Sequence, residues 1–193
     1  MFSIPHLHFK EVNGYREHKE KLLNFFDACP HKKSSKYGKD DIVTDWYYGQ
    51  EEFTHPQYYS YVCKILEPEI NRINEAFGNH DIEVRDIWFQ QSINYKRHYV
   101  HTHGAVGISC IWYLEFDPSE HSSTKFYAPF TDPLTGNCME YEPEVQEGDL
   151  IAFPSYLHHE QKPSFSDKRR TVISFNITRK IRSKELGEQI TDL

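Results

Sequence analysis

Hydrophobic and polar residues change their spacing once along this chain. Up to about residue 80 the apolar positions recur with a helical period; from residue 82 they alternate or form short continuous runs, which is the pattern of strands. Residues 1–12 read as an extended lead-in, with Ile4, His6 and His8 alternating with Pro5 and Leu7. Asn13-Gly14 opens a helix predicted to run to about Asp27, with Leu22, Leu23 and Phe26 on one face and Pro30 past its end. The segment 31–41 is a polar loop whose lysines make either a solvated surface or a flap over a site. Thr54-His55-Pro56-Gln57 has the form of a capping box with proline in the first turn, so a second helix is expected to start there. Its stripe of Tyr58, Val62, Ile65, Leu66, Ile70, Ile73 and Phe77 is core packing, with Pro68 predicting a kink or break and Gly78-Asn79 a stop.

Strands are predicted at 82–94 (one or two), 106–116, 124–128, 138–145, 149–153 and 171–178. Turn formers separate them, among them Asp117-Pro118-Ser119, Thr135-Gly136-Asn137 and Glu147-Gly148-Asp149. Helices followed by many short strands imply an α+β, mainly β chain, with the helices packed on one face of a sandwich or barrel. The length suits a single domain over 1–193, divided into a mainly helical part (1–80), a β part (81–179) and a charged tail (180–193).

Composition narrows the class. With 26% charged and 15% aromatic residues the chain is expected to fold, and a net charge of −7 argues against general nucleic-acid or anionic-membrane binding. No apolar run approaches bilayer length, and the N-terminus lacks a signal peptide's charged start and apolar middle, so a cytoplasmic protein is expected. Cys29, Cys63, Cys110 and Cys138 are far apart and form no C-x-x-C pair; they are expected to be reduced, buried and small.

Of the twelve histidines, most must be ordinary surface residues, but placement sets a few apart. In HTHGAVGISCIWYL (101–114), His101 and His103 are two apart, so an extended backbone points both at one ion from the mouth of a buried strand. A third imidazole is expected from His158 or His159 in FPSYLHHE, after the apolar run Leu150-Ile151-Ala152-Phe153. Neutral imidazoles suit Fe(II), Zn(II), Cu(II) or Ni(II), and spacing does not choose among them. On the last strand, parity puts Arg170, Val172, Ser174 and Asn176 on one face and Arg169, Thr171, Ile173 and Phe175 on the other. The first face is the more polar, so Arg170 is the arginine expected to meet a ligand carboxylate, with Arg169 at an exposed strand start.

Taken in order, H-x-H, WYL, GDLIAFPSYLHHEQKP and RTVISFN resemble the 2-oxoglutarate- and Fe(II)-dependent oxygenases over about residues 86–178. The likeness is nearest to small members often encoded by phages and bacteria, and more distant to prolyl hydroxylases. It implies a double-stranded β-helix (jelly roll, cupin-like) with N-terminal helices packed on one sheet. It also implies a metal triad at His101, His103 and His159, a 2-oxoglutarate anchor at Arg170, and the Tyr113 hydroxyl as a second contact to the same carboxylate. Fe(II), 2-oxoglutarate and O2 would then hydroxylate a C–H bond of a peptide or small molecule, releasing succinate and CO2. The sequence departs from the family at one position: the triad's carboxylate slot holds His103. Glu160 or Glu115 is the alternative source of a carboxylate, and a non-catalytic metal- or anion-binding jelly roll or a three-histidine dioxygenase needing no keto acid are the competing readings. Trp46, Tyr47, Tyr48, Trp88 and Tyr99, with the loops 31–50 and 117–137, either shape a substrate pocket or simply pack.

Overall fold

A computed structural model describes residues 4–30, 33–34, 42–46 and 55–180. The strands are β1 (Leu7–Phe9), β2 (Lys33–Ser34), β3 (Val43–Thr44), β4 (Ile82–Ser92), β5 (His98–His101), β6 (Ile108–Glu115), β7 (Thr124–Thr131), β8 (Cys138–Tyr141), β9 (Leu150–Pro154), β10 (His158–Gln161) and β11 (Arg170–Arg179). The helices among these residues are α1 (Tyr15–Asp27), α2 (Tyr59–Ile65) and α3 (Glu67–Ala76).

The strands form a seven-stranded sheet in the order β1-β9-β6-β11-β4-β3-β2 and a four-stranded sheet in the order β5-β10-β7-β8. Every recorded pairing is antiparallel. This is the mainly β jelly-roll architecture expected, with helices on the larger sheet.

The larger sheet is buried on both faces, which is why β6 and β9 read as largely continuous apolar runs rather than as alternations. On its outer face Trp112, Leu114, Leu150, Ala152, Ile173 and Phe175 join Leu22 and Phe26 of α1, Val62 and Leu66 after it, and Ile73 of α3 in one cluster. On its inner face Ile111, Tyr113, Ile151, Phe153 and Val172 meet Phe126 of the smaller sheet in a second cluster. Each fully buried Leu, Ile or Phe contributes roughly 1.5–3 kcal/mol. Strand parity therefore sorts the same runs into two cores.

The boundaries differ from expectation in instructive ways. The predicted 82–94 segment is one eleven-residue strand, continuous because β11 pairs along its length. The long helix breaks at Leu66, with Pro68 in the first turn of α3, since a proline without an N–H is tolerated only there. Past α3, Gly78 and Asn79 both take positive φ and end it. Helix α2 starts at Tyr59 with Tyr58 as N-cap and no side-chain cap; Thr54 of the predicted capping box lies outside the described residues. Part of the predicted 31–41 loop, Lys33–Ser34, pairs with β3 at the sheet edge, and the rest lies outside the described residues. All four cysteines are thiols, but only Cys110 is buried; Cys138 is exposed on the edge strand β8 of the smaller sheet.

Candidate metal centre

Two short strands that the hydrophobic pattern does not reveal build the site. β5 and β10 are polar and four residues long, and their register sets His101 directly opposite His159, with ring centroids 4.4 Å apart. His101 is the last residue of β5, so His101 and His103 do not share a strand face as period two predicts. His103 lies beyond the strand, its backbone N–H donating to the Ser155 carbonyl at 2.9 Å, and this turn brings its ring 5.1 Å from that of His101. β5 belongs to the smaller sheet, whereas β6 after it belongs to the larger, so the segment carrying His103 crosses from one to the other, and the ring nitrogen Nδ1 of His103 lies 2.9 Å from Ser109 Oγ of β6. His158 points outward and is exposed, while His159 is 3% exposed.

The ligand atoms of His101, His103 and His159 lie within 4.8 Å of one another. Each ring is held through its other nitrogen. His101 Nδ1 donates to the Tyr99 carbonyl at 2.6 Å, His159 Nδ1 to the Leu157 carbonyl at 2.8 Å, and His103 Nδ1 to Asn176 Oδ1 at 2.9 Å. With the proton on Nδ1, all three rings keep a bare Nε2 lone pair, the form a metal requires. The Nε2 atoms of His101 and His103 are 3.1 Å apart. Two nitrogens at right angles around one ion, each at about 2.1 Å, are separated by about 3.0 Å. Two bare lone pairs at this distance repel unless a cation lies between them.

Electrostatics agree with neutral rings. Burial lowers the pKa of His101 to about 4, and that of neighbouring His98 to about 3, helped by the other imidazoles and Arg170. His103 and His159 are also pushed down, chiefly by burial. The donor set fits a divalent first-row ion at ordinary pH.

Arg170 lines the same cleft as the three histidines, with Gln90, His98, Thr124, Gln161 and Ser174 around it. It is 2% exposed. Its Nη1 donates to Gln161 Oε1 at 2.8 Å, its guanidinium lies 5.3 Å from the Tyr113 ring centre, and its Nε has no hydrogen-bond partner. No carboxylate among the described residues pairs with it. Burial lowers its pKa and the adjacent Tyr113 opposes that shift, but a guanidinium stays charged in proteins, so this is a buried cation without a counter-ion. The Tyr113 hydroxyl is 2.9 Å from Thr124 Oγ1 and also accepts the Thr124 N–H at 3.3 Å. Arg169 lies outside the cleft: its Nε donates to Glu115 at 2.7 Å and its Nη1 to Asp27 at 2.8 Å.

Residues 86–176 match the model of the family described as "Putative 2OG-Fe(II) oxygenase". Over this stretch, just under half of the 193 residues, the chain is similar to the 2OG-Fe(II) oxygenases. Among solved structures, a prolyl-4-hydroxylase of Pseudomonas putida is 12% identical over 93% of this chain and 95% of its own, with a TM-score of 0.64. A Trichoplax adhaerens prolyl hydroxylase, in complex with a hypoxia inducible factor oxygen degradation domain peptide, is 14% identical over 89% and 82%, with a TM-score of 0.61. HygX from Streptomyces hygroscopicus, with nickel, 2-oxoglutarate and hygromycin B bound, is 9% identical over 92% and 84%, with a TM-score of 0.59. At such identities the likeness is one of fold. No curated protein matches the chain by sequence.

Neither alternative carboxylate joins the three nitrogens. Glu115 is taken by Arg169 and Thr171, and Glu160 accepts a hydrogen bond from Tyr127. Trp88 is buried with its ring 5.4 Å from that of His103, and Trp46 packs edge-on against Trp88 at 4.4 Å. Tyr99 contributes its carbonyl to His101 while its ring is exposed; Tyr47 and Tyr48 lie outside the described residues. Sequence reading missed His98, Ser109, Gln161 and Asp86. His98 had a signal, being three residues before His101; the others carry none that a linear pattern displays.

Proposed function

We propose that this chain is an Fe(II)- and 2-oxoglutarate-dependent hydroxylase in which His101, His103 and His159 hold the iron. Arg170 holds the far carboxylate of the keto acid, with Tyr113 as second contact. One observation carries the reading: a single cleft pairs three imidazoles whose Nε2 atoms are free with a buried guanidinium that lacks an anion. The desolvation cost of Arg170 is offset when a dicarboxylate supplies the missing charge, and its planar donors suit a carboxylate.

Iron and keto acid, when bound, supply the oxidising chemistry: O2 is consumed, 2-oxoglutarate loses CO2 to become succinate, and a substrate C–H bond becomes C–OH. The residues bind and orient. The carbonyls of Tyr99 and Leu157 fix the rings of His101 and His159. Gln161, itself donating to Ser92 Oγ at 2.7 Å, steers Arg170 Nη1, and Ile111 and Val172 give the cleft an apolar wall. The substrate is a peptide or small molecule reaching the iron beside the Trp46–Trp88 wall. The enzyme works in the cytoplasm, without a general nucleic-acid or membrane partner; among the described residues no helix is long and apolar enough to cross a membrane.

The test is succinate formation by protein loaded anaerobically with Fe(II), then given O2 and 2-oxoglutarate, with and without peptide and small-molecule substrates. Keto-acid-dependent succinate is expected. Oxygen uptake that ignores 2-oxoglutarate would favour a three-histidine dioxygenase, the reading that His103 in the carboxylate slot supports.

A further inference from the structure

The family's triad carries one negative ligand, and this chain has a third imidazole in its place. We infer that Asp86, acting through the Asn176 amide, is the positioning residue that makes His103 a competent ligand and returns the missing negative charge to the centre. The inference rests on the three-histidine reading above.

The hydrogen bonds fix one another's direction. Asn176 and Asp86 are register partners on β11 and β4, next to a bulge that falls between Asn176 and Ile177. Asn176 Nδ2 lies 3.2 Å from Asp86 Oδ2, and only an amide N–H can donate to a carboxylate, so the amide's orientation is set. Its Oδ1 must then face His103 Nδ1, at 2.9 Å. A bare Nδ1 would meet that oxygen lone pair to lone pair, so Nδ1 carries the proton and Nε2 the free pair. Ser109 completes the set: its hydroxyl donates to Asn176 Oδ1 at 3.0 Å, and Ser155 lies 2.9 Å from it on the other side. Asn176 and Ser109 are 2% and 0% exposed, so these polar groups are satisfied by one another rather than by water.

The relay thus does for His103 what backbone carbonyls do for His101 and His159, and adds a charge that they lack. Carboxylates that orient a metal-bound histidine through its second nitrogen raise its basicity, and losing such partners costs about 10–100-fold in metal affinity. Here an amide is interposed between carboxylate and ring. Arg85, exposed, donates from its Nε to the same Asp86 Oδ2 at 2.8 Å.

The experiment uses the full chain under argon, with Co(II) as probe. The ring ¹⁵N spectrum of the metal-free protein is expected to show His103 protonated at Nδ1; protonation at Nε2 overturns the inference without any variant. By calorimetry, Asp86→Asn keeps the hydrogen bond but removes the charge, and is expected to weaken Co(II) about tenfold or more. The double variant Asp86→Asn with Asn176→Asp moves the carboxylate next to the ring and is expected to restore affinity at least to that of the unaltered protein. A purely structural role predicts the opposite, further loss in the double variant. Asp86→Asn binding within about twofold of the unaltered protein sinks the relay. His103→Ala separates the two levels: if it binds Co(II) undiminished, the three-histidine reading itself falls, whereas loss in His103→Ala with no effect in Asp86→Asn removes only the relay.

Discussion

β11 presents two faces that are equally dry and chemically opposite. Outward, Ile173, Phe175 and Ile177 are at most 3% exposed and pack in the cluster shared with the helices. Inward, Arg170, Ser174 and Asn176 are each 2% exposed; Arg170 and Ser174 line the cleft with Val172, and Asn176 holds the His103 ring. An apolar residue at each inward position would be the cheaper solution, since every buried polar group left without a partner costs about 1–3 kcal/mol. Stability explains the outer face and not the inner one. What accounts for the inner face is the work proposed for it, holding a metal and an anion.

Substitutions on either face should therefore fail differently. The largest effects are expected from Phe175→Ala and His159→Ala. The first should cost about 3–5 kcal/mol of unfolding free energy while the folded fraction still binds Fe(II); the second should abolish stoichiometric Fe(II) binding with little change in the melting of metal-free protein. Denaturant titration and anaerobic iron analysis of the two proteins check both halves. If His159→Ala retains stoichiometric iron, the inner face is not a metal site.

Next in size is Arg170→Ala, which should weaken 2-oxoglutarate by about 2–4 kcal/mol in free energy and leave metal affinity intact. Keto-acid titration of the Co(II)-loaded protein measures it, and equal affinity in variant and parent would reassign the anion site. Relief of a buried unpaired charge should leave the variant's thermal stability unchanged or raised.

The smallest effect is one of pH. His98 and His101 have folded pKa values lowered to about 3 and 4 against an ordinary value near 6.5, so between these limits the unfolded chain binds more protons than the folded one. Their contribution is then complete above about pH 6.5 and is lost as pH falls toward 4. The melting temperature of metal-free protein should accordingly fall between pH 6.5 and 4, and a histidine-to-asparagine change at 98 should flatten that slope. A melting temperature that rises on acidification would contradict the burial of these rings as neutral groups.

Much of this was legible in the linear pattern, and the reasons are local. Helix α1 was readable from Asn13-Gly14 and its apolar face, the α2–α3 break from Pro68, and the two faces of β11 from simple alternation, because each depends on residues within a few positions. The polar strands β5 and β10 were not readable, since what makes them strands is pairing with each other and with β7 rather than any apolar period of their own. The same holds for the turn that carries His103 out of β5 to the Ser155 carbonyl.

By itself, then, the sequence determined the periods, the parity and the order of chemical groups along the chain: two histidines, a buried run, a third histidine, an arginine at a strand root. Only the tertiary structure decided which of these meet. Asp86 and Asn176 are 90 positions apart, and His103 and Asn176 are 73 apart. Hydrogen-bond direction acts over about 3 Å in space whatever the separation along the chain, so the tautomer of His103 became a definite quantity only once β4, β6 and β11 lay side by side.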